Sequence, residues 1–183
     1  MNLITTKEAC LLIIDVQEKI MYPIEVNIKT MVVGNIKKLI SLSKILNIPI
    51  LLTEQYQKGL GPTMSEIREV LPSYNPIDKI SFSCFQSELF VKRLKGLAVK
   101  TLILTGIETH ICVHQTAMEA LNSGYGVHIV SDAVCSRHTE DHRIALSRLR
   151  MYGAVITSFE MVAYELLKRA GTTEFKEARK FLL

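Results

Sequence analysis

Short apolar runs alternate along the chain with longer amphipathic segments, and this alternation limits the possible folds more than any other feature of the sequence. Strand-like runs cover residues 10–16, 48–53, 77–81, 99–105, 127–131 and 154–157. Helical spacing of apolar residues lies between them, most clearly over residues 28–46. Strands and helices in alternation form βαβ units, so the sequence predicts an α/β fold with a mostly parallel, six-stranded sheet.

The organisation of the chain is simple. It has 183 residues without an internal repeat or a Pro/Gly-rich linker, which predicts one domain. No apolar run approaches the roughly 18 residues of a membrane span, so we expect no membrane association. The formal net charge of +4 is spread over helix-like segments, and no aromatic residues interleave with the basic ones. We therefore expect no nucleic-acid partner.

The four cysteines are widely spaced and form no C-x-x-C pair, so the sequence predicts neither a zinc site nor a disulfide scaffold. The first ten residues lack the charge and apolar core of a targeting segment, and we expect a cytoplasmic protein. The turn after the first strand, residues 15–19, contains no glycine. A dinucleotide-binding G-x-G-x-x-G loop and a P-loop are both missing, which disfavours a dinucleotide-dependent oxidoreductase and predicts no cofactor.

Three residues with chemically useful side chains fall at the carboxyl ends of different predicted strands: Asp15, Lys79 and Cys112. In a doubly wound sheet these ends converge at one edge. Cys112 follows a strand and Gly106, which predicts a position in the first turn of a helix. A helix amino terminus and a neighbouring ammonium group both lower the pKa of a thiol, so the three residues predict an activated cysteine.

Three motifs resemble those of the isochorismatase-like cysteine hydrolase superfamily. They are Asp15-x-Gln17, the segment Lys79-x-Ser-Phe-Ser-x-Phe85, and G-x-x-T-x-x-C-V over residues 106–113. The isochorismatase domain-containing proteins are the most similar branch. The resemblance implies a Rossmann-like, three-layer α/β/α fold with strand order 3-2-1-4-5-6, one isochorismatase-like hydrolase domain over residues 1–183, and a homo-oligomer.

The same resemblance implies roles for individual residues. Cys112 would be the nucleophile, Asp15 its general base, and Lys79 the cation that holds both in place. The backbone N–H groups of Glu108 and Cys112 would form an oxyanion hole, with a cis peptide between Ile107 and Glu108. The thiolate would attack a carbonyl carbon, and a covalent acyl-enzyme would then be hydrolysed.

Several polar and aromatic residues around these motifs are further candidates for the site. Gln17 would help to orient the three central residues. Tyr56, Phe82 and Phe85 either line the substrate pocket or belong to the core. Ile107 adjoins the expected oxyanion hole.

The sequence departs from two branches of the superfamily. Nicotinamidases carry a D-x-H metal motif after the second strand, whereas residues 53–58 contain no histidine, so we expect no metal and no nicotinamide substrate. True isochorismatases lack the cysteine, so Cys112 disfavours their reaction too. His110 and His114 have the spacing of a metal pair but no third ligand nearby in sequence, and surface or subunit-contact histidines are the ordinary interpretation.

The sequence thus predicts a metal-independent cysteine hydrolase acting on a small amide or related carbonyl compound. A binding or oligomerisation scaffold of the same fold, with little turnover, is the alternative hypothesis.

Overall fold

The computed structural model describes residues 3–182 and contains one six-stranded sheet with the order β3-β2-β1-β4-β5-β6. All five strand pairs are parallel. The strands are β1 (Ala9–Ile14), β2 (Ile50–Gln55), β3 (Ile77–Lys79), β4 (Thr101–Ile107), β5 (Gly126–Cys135) and β6 (Val155–Thr157). The predicted α/β class and strand order are confirmed.

Helices connect the strands and cover both faces of the sheet. They are α1 (Glu18–Met21), α2 (Val26–Ile45), α3 (Gln57–Leu60), α4 (Ser65–Arg68), α5 (Glu88–Gly96), α6 (His114–Asn122), α7 (Thr139–Met151), α8 (Phe159–Leu167) and α9 (Thr173–Leu182). A 3₁₀ turn at Cys84–Gln86 precedes α5, and a π-helical turn at Thr109–Val113 runs into α6. Within residues 3–182, none of the helices combines the length and the apolar character needed to cross a bilayer.

The alternation of side chains along β1 divides the core into two halves. All six residues of β1 are fully buried. Leu11 and Ile13 pack on one face with residues of α2, α8 and α9. Leu12 and Ile14 pack on the other face with residues of α5, α6 and α7. A strand that is apolar on both faces is typical of a sheet covered by helices on both sides, and the three-layer prediction is confirmed.

Some predicted element boundaries were wrong. The Thr-x-x-Glu pattern of residues 157–160 is typical of a capping box that begins at Thr157, but Thr157 is still paired with Val130 in the sheet. Ser158 caps α8 instead, and its hydroxyl accepts the N–H of Met161 at 3.3 Å. The sequence analysis also did not predict α9, whose Ala178 is fully buried against the core.

The strand order places the first strand of one half of the chain beside the first strand of the other half. β1 and β4 are neighbours although 86 residues separate Ile14 from Thr101, and the chain winds in opposite directions on either side of them. Gly106 of β4 pairs with Ile14 of β1 and has φ +112°. A Cβ atom there would lie 2.0 Å from the Ile14 carbonyl oxygen, so only glycine allows this close approach. The strand ends beside this contact carry the predicted site.

Candidate active site

Asp15 and Lys79 form a buried ion pair at the carboxyl edge of the sheet. Lys79 Nζ lies 2.6 Å from Asp15 Oδ2, and neither side chain has exposed surface. Asp15 follows β1 directly and has φ +54°, a left-handed conformation that aspartate tolerates better than branched residues do. This backbone turn and the end of β3 bring together two residues that are 64 positions apart in the chain.

Other acceptors surround the Lys79 ammonium group. Gln55 Oε1 lies 2.9 Å from Nζ, and the carbonyl oxygens of Ser81 and Phe82 lie 3.1 and 3.2 Å from it. Burial is the largest single influence and would lower the pKa of Lys79, but the charge and hydrogen bond of Asp15, together with the neighbouring Cys84 and Cys112, outweigh burial and raise that pKa overall. The ammonium group therefore stays charged, and the pair is electrically balanced within the protein interior.

Thr53 is a further partner of Asp15 that the sequence analysis did not identify as a site residue. Its hydroxyl donates to Asp15 Oδ1 at 2.7 Å, and its carbonyl oxygen accepts the Asp15 N–H at 3.2 Å. Thr53 is paired with Ile14 in the sheet, next to Asp15. Each carboxylate oxygen of Asp15 thus has its own donor, Thr53 on one and Lys79 on the other.

Cys112 lies in the π-helical turn after β4 and is 6% exposed. Sequence analysis predicted a lowered pKa in the first turn of a helix, and this prediction was wrong. Burial raises the pKa of the Cys112 thiol well above its usual range, the charge of Asp15 raises it further, and only Lys79 opposes them. The thiol is therefore protonated at neutral pH.

The backbone before Cys112 contains a cis peptide bond between Ile107 and Glu108. The carbonyl oxygen of Glu108 accepts the N–H groups of Ile111 and Val113, the residues on either side of Cys112. The Glu108 carboxylate is nearly buried and accepts the backbone N–H of Arg137 at 3.0 Å. Glu108 is therefore held on both its main chain and its side chain.

Cys112 opens into a cavity of about 290 Å³, which is large enough for a small organic molecule. Apolar side chains form most of its wall, and Lys19 and Arg137 place two cations in the lining. The residues lining it are Lys19, Ile20, Pro23, Gln55, Leu60, Phe82, Ile107, Glu108, Ile111, Cys112 and Arg137. A larger cavity of about 1060 Å³ lies beside the amino end of β2 and contains none of the predicted site residues.

Phe82 and Ile107 lie in the cavity wall, as the sequence analysis allowed, but other predicted residues lie elsewhere. Gln17 is fully buried and clamps the end of β2. Its amide nitrogen donates to the carbonyl oxygens of Gln55 and Gly61, and its amide oxygen accepts the Gln55 N–H at 2.7 Å. Tyr56 is half exposed and does not line the cavity.

Phe85 packs in the core rather than against Cys112. Its ring contacts Phe90, with ring centroids 5.3 Å apart, and Tyr125 at 6.0 Å. Sequence spacing left the pocket and the core as alternatives for this residue, and the structure places it, partly buried, against the core cluster that contains Phe90.

His110 and His114 make different contacts. His110 Nδ1 lies 2.9 Å from Ser136 Oγ, and its Nε2 lies 3.8 Å from Asp141. His114 Nε2 is buried without a hydrogen-bond partner, and burial lowers the pKa of this ring. Among residues 3–182, no three His, Cys, Asp or Glu side chains lie close enough together to hold a metal ion.

The arrangement places a thiol in the wall of one small cavity and a buried carboxylate–ammonium pair next to that thiol. The carboxylate is ionised and adjacent to the protonated thiol, so a proton can pass between them when the sulfur attacks an electrophile. These are the parts required for nucleophilic chemistry at a carbonyl carbon.

Comparison with known proteins gives consistent matches over most of the chain. The isochorismatase domain model matches residues 9–161. Isochorismatase domain-containing protein 2 of Danio rerio is 42% identical over 180 residues, covering 98% of this chain and 89% of that protein. The structure of a MAR1 ribonuclease from Caenorhabditis elegans has a TM-score of 0.91 and 35% identity, with 99% and 92% of the two chains covered.

A YcaC gene product from Escherichia coli, described as an octameric hydrolase of unknown specificity, is 27% identical with a TM-score of 0.85. The match covers 92% of this chain and 84% of that chain. The resemblance seen in the three sequence motifs is thus confirmed by family model, relatives and structures together. The chain belongs to the isochorismatase family.

Proposed function

We propose that the protein is a cysteine hydrolase for a small amide or related carbonyl compound. The observation that carries this proposal is the position of Cys112, which lines a small cavity and adjoins the buried Asp15–Lys79 pair. Cys112 is the nucleophile, Asp15 the general base, and Lys79 the cation that pairs with Asp15 and holds it in place. The raised pKa of Lys79 supports the last of these roles.

The reaction begins when Cys112 Sγ forms a bond to the carbonyl carbon and its proton passes to Asp15. The carbonyl oxygen becomes an oxyanion, for which we assign the N–H groups of Glu108 and Cys112 as donors. The carbon–nitrogen bond then breaks, and Asp15 returns its proton to the departing amine. Water attacks the resulting thioester, Asp15 accepts a proton from that water, and the thiol is regenerated as the acid leaves.

The protonated state of Cys112 fits this sequence of steps. A thiol that ionises only while it attacks needs a base at hand, and Asp15 is ionised and adjacent. The free enzyme then holds no exposed thiolate that oxidants or other electrophiles could reach. The Asp15 charge that raises the pKa of the thiol in the free enzyme is the same charge that accepts its proton in the reaction.

The remaining predicted site residues receive supporting roles in this proposal. Phe82 and Ile107 shape the cavity that receives the acyl group. Gln17 fixes the end of β2, from which Gln55 reaches both the cavity and Lys79. Tyr56 and Phe85 act indirectly, by fixing the loop after β2 and the turn before α5.

We further propose a single hydrolase domain, a cytoplasmic location and a homo-oligomer. An octameric relative of the same fold supports the last of these. The chemistry above uses only a thiol, a carboxylate and an ammonium group, so we propose that it requires no metal. A small molecule, rather than a nucleic acid, is the substrate that a cavity of about 290 Å³ fits.

A panel of small primary amides, ureas and esters tests the proposal, with release of ammonia or of the alcohol as the measured signal. We expect turnover by the natural chain and none above background by Cys112→Ala. Cys10→Ala is the matched control, because Cys10 is another buried cysteine, which lies in β1 outside the cavity. Activity retained by Cys112→Ala would overturn the mechanism.

The alternative is a scaffold that binds small molecules with little turnover. It predicts long-lived binding of panel compounds without product, which mass spectrometry of the isolated complex would reveal. An arm with single-stranded RNA belongs in the same panel, since a relative of 35% identity is described as a ribonuclease. RNA cleavage that is lost in Cys112→Ala would replace the small amide as the substrate.

A further inference from the structure

Cys84 occupies a special position beside the ion pair, although its sequence context predicts only a structural cysteine. It is fully buried at the start of the 3₁₀ turn before α5. Its Sγ lies 3.9 Å from Thr53 Oγ1, and that hydroxyl lies 2.7 Å from Asp15 Oδ1. Three side chains from separate segments therefore form one hydrogen-bonded row that ends on the proposed general base.

The backbone of Cys84 is tied to the helix that carries the nucleophile. Its N–H donates to Thr116 Oγ1 at 3.0 Å, and Thr116 lies four residues after Cys112. The Cys84 thiol thus contacts the Asp15 side of the site while its main chain contacts the Cys112 side. A movement of either side relative to the other would disturb the row.

The chemistry of the three groups fixes the direction in which their protons point. The ionised Asp15 carboxylate can only accept, so the single hydroxyl proton of Thr53 must point towards it. A lone pair of Thr53 Oγ1 then remains for the weak S–H donor of Cys84. Burial raises the pKa of Cys84 to about 11, and the charge of Asp15 contributes to that shift, so this donor keeps its proton.

We propose that Thr53 and Cys84 are positioning residues for Asp15. The Cys84 thiol orients the Thr53 hydroxyl, and that hydroxyl fixes the orientation of the carboxylate and partly offsets its negative charge. This inference rests on the proposed function, because it assigns the two residues through the general base. Lys79 performs the corresponding task on the other carboxylate oxygen. Both oxygens are then held before substrate arrives, which keeps Asp15 ready to accept the thiol proton.

A positioning role for Thr53 should affect the pKa of Cys112, whereas a purely structural role should not. Without the hydroxyl, no hydrogen bond from Thr53 offsets the negative charge of Asp15. The carboxylate then acts more strongly on Cys112 and raises its pKa further. Each additional unit of pKa reduces the thiolate tenfold, but the more basic thiolate reacts faster, so alkylation slows about three- to fourfold per unit.

The experiment measures the rate at which iodoacetamide labels Cys112 in the full chain between pH 7 and 10, read by peptide mass spectrometry. We expect Thr53→Val to raise the pKa of Cys112 by about one unit and to slow labelling about threefold at any fixed pH in this range, which moves the rising profile up by about half a pH unit. Thr53→Ser keeps the hydroxyl and should restore the profile of the natural chain. Cys84→Ala should shift it in the same direction by a smaller amount.

Two matched variants control for lost packing. Thr105→Val removes another fully buried threonine hydroxyl, which donates to the Leu12 carbonyl oxygen rather than to Asp15. Cys10→Ala removes a buried thiol outside the row. Neither should move the labelling profile. A shift of equal size in Thr105→Val would show that lost packing explains the effect, and would overturn the proposal.

Asp15→Asn separates this inference from the proposed function. If Asp15→Asn changes the profile while Thr53→Val and Cys84→Ala leave it unchanged, the positioning proposal is wrong and the hydrolase proposal stands. If Asp15→Asn also leaves it unchanged, Asp15 does not act on Cys112 and both proposals fall. Should Thr53→Val fail to fold, Cys84→Ala decides, and an unshifted profile there overturns the proposal.

Discussion

Lys79 Nζ lies 2.6 Å from Asp15 Oδ2 with no part of either side chain exposed to solvent. Removing one partner leaves the other as an uncompensated buried charge, so we expect Lys79→Met to reduce the free energy of unfolding by about 3–5 kcal/mol. The double variant Asp15→Asn/Lys79→Met should recover much of this loss. Denaturant titration followed by circular dichroism measures all three proteins.

Lys100→Met is the matched control for this prediction. Lys100 also pairs with a carboxylate, that of Glu8, but its side chain is 74% exposed. An exposed pair of this kind contributes at most about 1 kcal/mol. A loss in Lys79→Met no larger than that in Lys100→Met would show that the buried pair does not stabilise the fold.

Asp15→Asn should make Cys112 more reactive towards iodoacetamide while it removes the general base. Burial and the Asp15 charge together hold the pKa of Cys112 high, and Lys79 alone lowers it. Neutralising Asp15 leaves burial as the main influence that opposes Lys79, so the pKa falls and labelling at pH 8 should rise several-fold. Turnover of any substrate found in the amide panel should fall in the same variant. Slower labelling would contradict this reading of the electrostatics.

Buried thiols should make the fold less stable as the pH rises above 9. Burial raises the pKa of Cys84 to about 11 and of Cys10 to about 12, from an ordinary value of 9.0. Above pH 9 the unfolded chain loses these protons while the folded chain keeps them, so stability falls with rising pH. Each thiol contributes up to about 1.4 kcal/mol per pH unit until its folded pKa is reached.

Denaturant titrations at several pH values between 9 and 11 measure this slope. Cys84→Ala and Cys10→Ala should each flatten it by about one thiol's contribution. Ser43→Ala, which removes a buried group that does not titrate, should leave the slope unchanged. If the free energy of unfolding falls equally steeply with pH in all four proteins, the buried thiols do not cause the slope.

Gly106→Ala should destabilise the fold by about 3 kcal/mol or more, because the new methyl group would overlap the Ile14 carbonyl and the backbone has φ +112°. Thermal unfolding provides the measurement. Gly34→Ala is the opposite case, since Gly34 lies inside α2 with nothing within 4 Å of the new atom. That variant should gain up to about 1 kcal/mol, and equal effects at both glycines would contradict the assigned close approach.

Much of the fold could be predicted from the sequence, because strands buried on both faces require continuous apolar runs. The run that forms β1 and the alternating helical segments were sufficient for the class, and the family resemblance of the three motifs implied the strand order. Boundaries were less accurate where pairing decides them. Predicted at 48–53, β2 actually spans Ile50–Gln55, since Pro49 lies before the strand and β3 extends the pairing to Gln55.

The site could be predicted only as far as strand ends and motifs identify it. The closeness of Asp15 and Lys79 follows from the convergence of strand ends. The contact of Thr53 with Asp15 depends on the register between β1 and β2, which no local pattern specifies. The direction of the Cys112 pKa shift depends on burial against the opposing charges, and burial is a property of the assembled core.

The neighbouring positions of β1 and β4 make the site a joint product of the two halves of the chain. Asp15 and Lys79 lie in the first half of the chain, which runs to the end of α5. Cys112 lies in the second half, which begins with β4. A chain cut near Ala98, in the turn between them, would carry the base on one fragment and the nucleophile on the other. Neither fragment alone could show the raised pKa of Cys112, because that shift depends on Asp15. If the raised pKa reappears when the two fragments are mixed, they have reassociated in the native register.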